Sequence, residues 1–219
     1  MLSLKNLGQR MVWKDFFPAF IIVANSLTWY TLIYSIFNDA VGKLNLSSLD
    51  TIAIFAVHYL AIVFSAVFGS IFASRERAKY LFAWVVAGAA MSALLIAIPS
   101  SDFSVNMVIS LFLGASIGLG LPLCLAYFGD VTAVENRGVY AGITWIAIGF
   151  GVLLLAVAIS PLSYSLTVIA LAVWRAVGLT AFLFRKAEGE TQPASKPSYS
   201  SILHRTDFIL YLAPWIMFR

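Results

Sequence analysis

Six runs of apolar residues, 16–37, 51–73, 80–98, 106–128, 139–159 and 165–184, occupy most of the 219-residue chain. Each supplies the roughly 20 residues that a helix rising about 1.5 Å per residue needs to cross about 30 Å of hydrocarbon. None alternates with period two, which sets a lipid-facing β-barrel aside. Short polar joints separate the runs, where backbone without internal partners belongs. Hydrophobic residues make up 61% of the chain and charged residues 11%, against roughly a quarter charged in soluble domains. A water-soluble core of this size does not hide so much apolar surface, whereas lipid does. The first run is too long for the core of a cleaved signal peptide, and no small-residue cleavage site follows it.

Lysine and arginine set the orientation. With the amino terminus in the cytoplasm, the inner segments hold Lys5, Arg10, Lys14, Arg75, Arg77, Lys79, Arg137, Arg185, Lys186, Lys196 and Arg205, and the outer ones Lys43 alone. Eleven against one is a strong positive-inside bias. The same loops account for the net charge of +4. No basic stripe with interleaved aromatics occurs in a soluble segment, so nucleic acid is not an expected partner. Cys124 is the only cysteine, which excludes an intrachain disulfide and a cysteine-based zinc cluster. It is expected to be a small buried packing residue. Neither a metal nor a cofactor is expected.

Residues 185–206 read as a polar cytoplasmic linker containing Pro193 and Pro197, and 207–219 as the start of a seventh helix. The apolar part of that start rises only about 16 Å and is too short to cross. The expectation is a six-helix domain over 1–184 at the front of a longer protein.

Between the fourth and fifth runs the chain reads Tyr127-Phe-Gly-Asp130-Val-Thr-Ala-Val-Glu135-Asn-Arg137-Gly138. An acid closing one helix and an arginine opening the next suit a clamp on two helix ends. Gly138 is expected to let the fifth helix start close to its neighbour. The frame of an aromatic, an acid and a later Arg-Gly resembles the loop at this place in the major facilitator superfamily, especially the E-x6-R-G pattern of its sugar-porter branch, with Asp130 for Glu. Between the second and third runs, Gly69 followed by Ser74-Arg75-Glu76-Arg77-Ala78-Lys79 resembles the family's G-x-x-x-D-R-x-G-R-R, without its acid and second glycine. The resemblance implies an all-α membrane protein: a six-helix transmembrane bundle of two inverted three-helix repeats, one half of a twelve-helix transporter. It also implies a cytoplasmic latch made by Gly69, Arg75, Arg77, Asp130, Arg137 and Gly138. The missing carboxy-terminal half would be a partner, beside membrane lipid and a small-molecule solute.

The chain departs from the proton-driven antiporters of that family. Gly114 stands where they carry an arginine, and the fifth run, with Gly142, Gly149 and Gly151, lacks a Gly-Pro pair. Gly114 and Gly118 instead form a small-xxx-small packing face.

Polar groups inside the spans are costly and draw attention to function. Asn25, Thr28 and Trp29 share one face of span one, which lines the central cavity in the family. His58, in the outer half of span two, is the one span residue that titrates near neutral pH when unperturbed. Asn25, Trp29 and His58 are therefore the cavity candidates. Arg175 lies at mid-depth in span six, where burial unpaired costs at least about 2.5–3.5 kcal/mol. Span six is peripheral in the family, which places Arg175 away from the solute. No acid falls inside a run, leaving snorkelling or a partner from elsewhere.

The function expected is secondary active or facilitative transport of a small solute by alternating access, not an enzyme's, in the plasma membrane. No Walker-type phosphate loop is present. The alternatives are a membrane-embedded lipid-modifying enzyme, which needs clustered acids or histidines at the interface, and a non-transporting structural membrane protein.

Overall fold

The computed structural model describes residues 13–72, 77–97, 102–132 and 134–183. Arg75, the 185–206 linker and the 207–219 segment lie outside the described residues. Seven α-helices occur, with no strand among the described residues: α1 (Trp13–Gly42), α2 (Ser48–Phe72), α3 (Arg77–Leu94), α4 (Phe103–Gly118), α5 (Leu121–Val131), α6 (Arg137–Ile159) and α7 (Tyr164–Val177). Tighter 3-10 turns extend α3 over Leu95–Ala97 and α7 over Gly178–Leu183, and Val134–Asn136 precedes α6.

Local chemistry explains the boundaries. Asn45, the one non-glycine residue with positive φ among those described (52°), turns the chain between α1 and α2, a conformation asparagine tolerates. Ser47 then caps α2: its Oγ accepts from the Asp50 N–H at 3.1 Å and donates to Asp50 Oδ2 at 2.7 Å. Asp102 caps α4 by accepting from the Ser104 N–H at 2.7 Å.

Five helical stretches are long and apolar enough to cross a membrane: Phe16–Gly42, Ser48–Ser70, Phe103–Val131, Arg137–Ile159 and Tyr164–Leu183. This is an integral membrane protein. The third expected span is also helical, as α3, but Arg77 and Lys79 in its first turns dilute its apolar character.

Span four is broken. Leu119 and Gly120 separate α4 from α5, and Pro122, which has no N–H to donate, sits in the first turn of α5. Side chains of α3 take up carbonyls at the break: Trp84 Nε1 donates to Ser116 O at 2.5 Å and Tyr80 Oη to Leu119 O at 3.0 Å.

The helices pair in a definite pattern. Along α2 and α4, Ser110 Oγ donates to Ile54 O at 2.5 Å. A Cβ at Gly114 would meet His58 O at 2.3 Å, and one at Gly118 would meet Ile62 O at 2.4 Å. Both chains advance four residues per step, so the two helices run parallel with backbones touching, as the small-xxx-small face requires. Along α1 and α6, the rings of Phe16 and Tyr140 lie 4.8 Å apart, and a Cβ at Gly151 would meet Thr28 Oγ1 at 2.9 Å; this pair is also parallel. Along α3 and α7 the order reverses: Phe82 meets Phe182 at 5.6 Å, and Tyr164 Oη donates to Leu95 O at 2.6 Å. Helix α1 further packs on α5 and α7, and its Ile22, Trp29, Ile33 and Phe37 are fully buried.

Candidate functional site

Arg175 does not snorkel. Its side chain is wholly buried where α1, α3 and α7 meet. Nη1 donates to Ser26 Oγ and to Asn25 Oδ1, the latter at 3.3 Å. The guanidinium carbon lies 4.3 Å from the Trp84 ring centroid and 5.1 Å from that of Trp29, within cation–π range of both. A Cβ at Gly88 would fall 2.6 Å from Nε, so only glycine fits beside the guanidinium. Of the two outcomes left open for Arg175, snorkelling or partners from elsewhere, the second is found: it points into the bundle, where Gly88 and two indoles leave it room.

The supporting bonds are closed. Asn25 Nδ2 donates to Trp174 O at 2.6 Å. Trp29 Nε1 donates to Ser92 Oγ at 2.7 Å, and Ser92 Oγ to Gly88 O at 3.0 Å. Trp84 ties this cluster to the broken span, because it bonds Ser116 O and its ring packs on Gly120. The guanidinium, by contrast, keeps Nε and Nη2 buried with no acceptor among the described residues.

Of the cavity candidates, Asn25 and Trp29 meet at Arg175, whereas His58 sits in a separate aromatic box. It stacks on Tyr30 (6.2 Å, 2°) and Phe37 (5.8 Å, 28°), with Tyr34 and Tyr59 at 5.2 and 5.5 Å. Its Nδ1 lies 3.3 Å from Ser110 O and its Nε2 3.1 Å from Tyr30 Oη. A carbonyl only accepts, so these partners fit the neutral tautomer with the proton on Nδ1 and Tyr30 donating to Nε2.

The cytoplasmic residues join differently from the expected clamp. Asp130 pairs with Arg77, not with Arg137. Arg137 Nη2 instead donates to Gly129 O at 2.6 Å and Thr132 O at 3.3 Å, capping the carboxy-terminal end of α5, where carbonyls lack helical partners. The Arg77–Asp130 side chains are 33% and 61% exposed, so in water the pair would contribute roughly 0–1 kcal/mol. Gly69 packs against the break, since a Cβ there would lie 1.9 Å from Leu119 O. Gly138 has nothing within 4 Å of its Cβ position, which corrects the close approach expected of it.

Sequence reasoning missed Ser26, Trp84 and Gly88 as neighbours of Arg175. A signal existed: Trp84, Gly88 and Ser92 recur every four residues, marking one polar and small face of α3. Comparisons with family models, with curated proteins and with solved structures give no match, so what stands is a helical integral membrane bundle that encloses the guanidinium of Arg175.

Proposed function

We propose that the chain forms a six-span bundle of the major facilitator type, built from two inverted three-helix repeats, that carries a small solute by alternating access. The observation that carries this reading is the pairing of spans. Numbered in order (α1, α2, α3, α4 with α5, α6, and α7 with its 3-10 extension), the extensive pairings include two with four, one with five, three with six, and one with six. Exchanging one with four, two with five and three with six turns the first pair into the second and leaves the third unchanged. An inverted repeat produces that invariance.

The directions support six crossings. Spans two and four run parallel, so the chain must return between them, and α3 is the helix that lies between. Its antiparallel packing along α7 agrees with this. Span one also carries an uneven outer surface: Thr31, Ser35 and Asn38 are exposed on one face at helical spacing, whereas α2 exposes Val63, Phe64, Val67 and Phe68. A polar stripe beside apolar, lipid-compatible faces suits a wall that meets solute or a second bundle.

Counterflow in proteoliposomes carrying the full-length gene product tests the reading. Saturable exchange of a small organic solute is expected, blocked from outside by alkylating Ser35→Cys. No saturable exchange across carboxylates, amino acids, amines and sugars would overturn it.

A further inference from the structure

We propose that the free edge of Arg175 receives the carboxylate of a small monoanionic solute, held beside Trp29 and Trp84. This deepens the transport reading and rests on it for the ligand's being cargo.

Two donors of the guanidinium are unused. Nη1 is occupied by Asn25 and Ser26, while Nε and Nη2 have no acceptor among the described residues. In a guanidinium, Nε–H and the N–H of the amino group beside it point the same way from one edge. That fork matches the two oxygens of a carboxylate. The backbone of Gly88 faces Nε in this conformation, where a Cβ would fall 2.6 Å away, so α3 must withdraw before a carboxylate can reach this edge.

Charge selects the ligand further. The acids whose side chains are described, Asp39, Asp50, Asp102, Asp130 and Glu135, all lie at or near helix ends, and Asp130 is engaged by Arg77. Lys43, Arg77, Lys79 and Arg137 likewise lie at helix ends, so Arg175 is the one cation within the bundle among the described residues. One uncompensated positive charge in a low-dielectric interior is balanced by one negative charge, which favours a monoanion over doubly charged phosphate or sulfate. The indoles of Trp29 and Trp84 offer the rest of the solute an apolar, aromatic surface. Trp84 also borders the break between α4 and α5, and interrupted spans are where transporters build mid-membrane sites. The site is enclosed, so entry requires α3 to part from α1 and α7 within the bundle.

Binding is measured on the purified full-length protein by thermal unfolding and tryptophan fluorescence. The probes are benzoate, its neutral isostere benzamide, benzylamine and inorganic phosphate. Benzoate is expected to raise the melting temperature saturably, and the other three are not. Arg175→Lys, which keeps charge but loses the fork, should raise the half-saturating benzoate concentration at least tenfold, and Arg175→Gln should abolish the response. An equal response to benzamide, a stronger one to phosphate, or an unchanged one in Arg175→Lys would overturn the proposal. So would no response to benzoate, acetate and butyrate alike. If Arg175→Gln does not fold, benzoate against benzamide on the unaltered protein decides. Carboxylate binding without counterflow overturns transport and leaves the site standing. Counterflow unaffected by Arg175→Lys overturns the site and leaves transport standing.

Discussion

Gly118→Leu is expected to leave α2 and α4 unable to meet, and Gly114→Leu to do the same one turn earlier. At both positions the obstacle to a side chain is backbone: Ile62 O at 2.4 Å from the Gly118 Cβ position and His58 O at 2.3 Å from that of Gly114. Ser65 Oγ, at 2.1 Å from the former, closes the remaining space. Overpacked cores commonly lose about 1–3 kcal/mol by rotating side chains aside. Here whole helices must separate, so each substitution should reach or exceed the upper end. The parting would also break the Ser110–Ile54 bond and expose His58. Gly142→Ala and Gly149→Ala are the controls, because nothing lies within 4 Å of either Cβ position. They should be neutral or gain up to about 1 kcal/mol from helix propensity. Denaturant unfolding in micelles checks the contrast, and a wild-type midpoint for Gly118→Leu would contradict it.

Trp84→Ala carries the second large effect. Truncating a buried tryptophan typically costs about 3–5 kcal/mol, and this one has three separate tasks. Its ring fills the space over Gly120, its face covers Arg175, and its Nε1 satisfies Ser116 O at the break in span four. Trp84→Phe separates the last task from the others. It keeps an aromatic face and strands one buried carbonyl, which costs about 1–3 kcal/mol. Trp29→Phe should cost less, because Ser92 Oγ retains its bond to Gly88 O. The order Trp84→Ala, Trp84→Phe, Trp29→Phe in decreasing loss is the expected unfolding result. Equal losses for the two phenylalanine variants would remove the special role of the break.

The apolar runs revealed where helices lie because lipid imposes one length and one composition on every crossing. The Gly114–Gly118 face was legible for a related reason: a four-residue repeat of glycine has little purpose except close approach. Partners across the bundle were not legible. Asp130 lies seven residues from Arg137 in sequence, yet its ion pair is with Arg77, from another helix. Arg175 gave warning by its cost, but its surroundings come from three helices, and no local pattern joins Asn25, Gly88 and Arg175. His58 drew notice as a titratable group, whereas its ring turns out to be enclosed by tyrosines and bonded at both nitrogens. Gly138 was given a packing role by motif position, although it faces open space.

An inverted repeat requires α3 to cross the membrane, and cysteine labelling at three sites measures that directly. On a background with Cys124→Ala, single cysteines replace Asn45, Ser163 and Ser195, and a membrane-impermeant maleimide is applied from each side. Six crossings place Asn45 and Ser163 on one face and Ser195 on the other, which is the predicted result. If α3 stays on one side and only the five longer stretches cross, Asn45 and Ser195 label together and Ser163 labels from the opposite face. That pattern would contradict the inverted repeat and, with it, the transport reading.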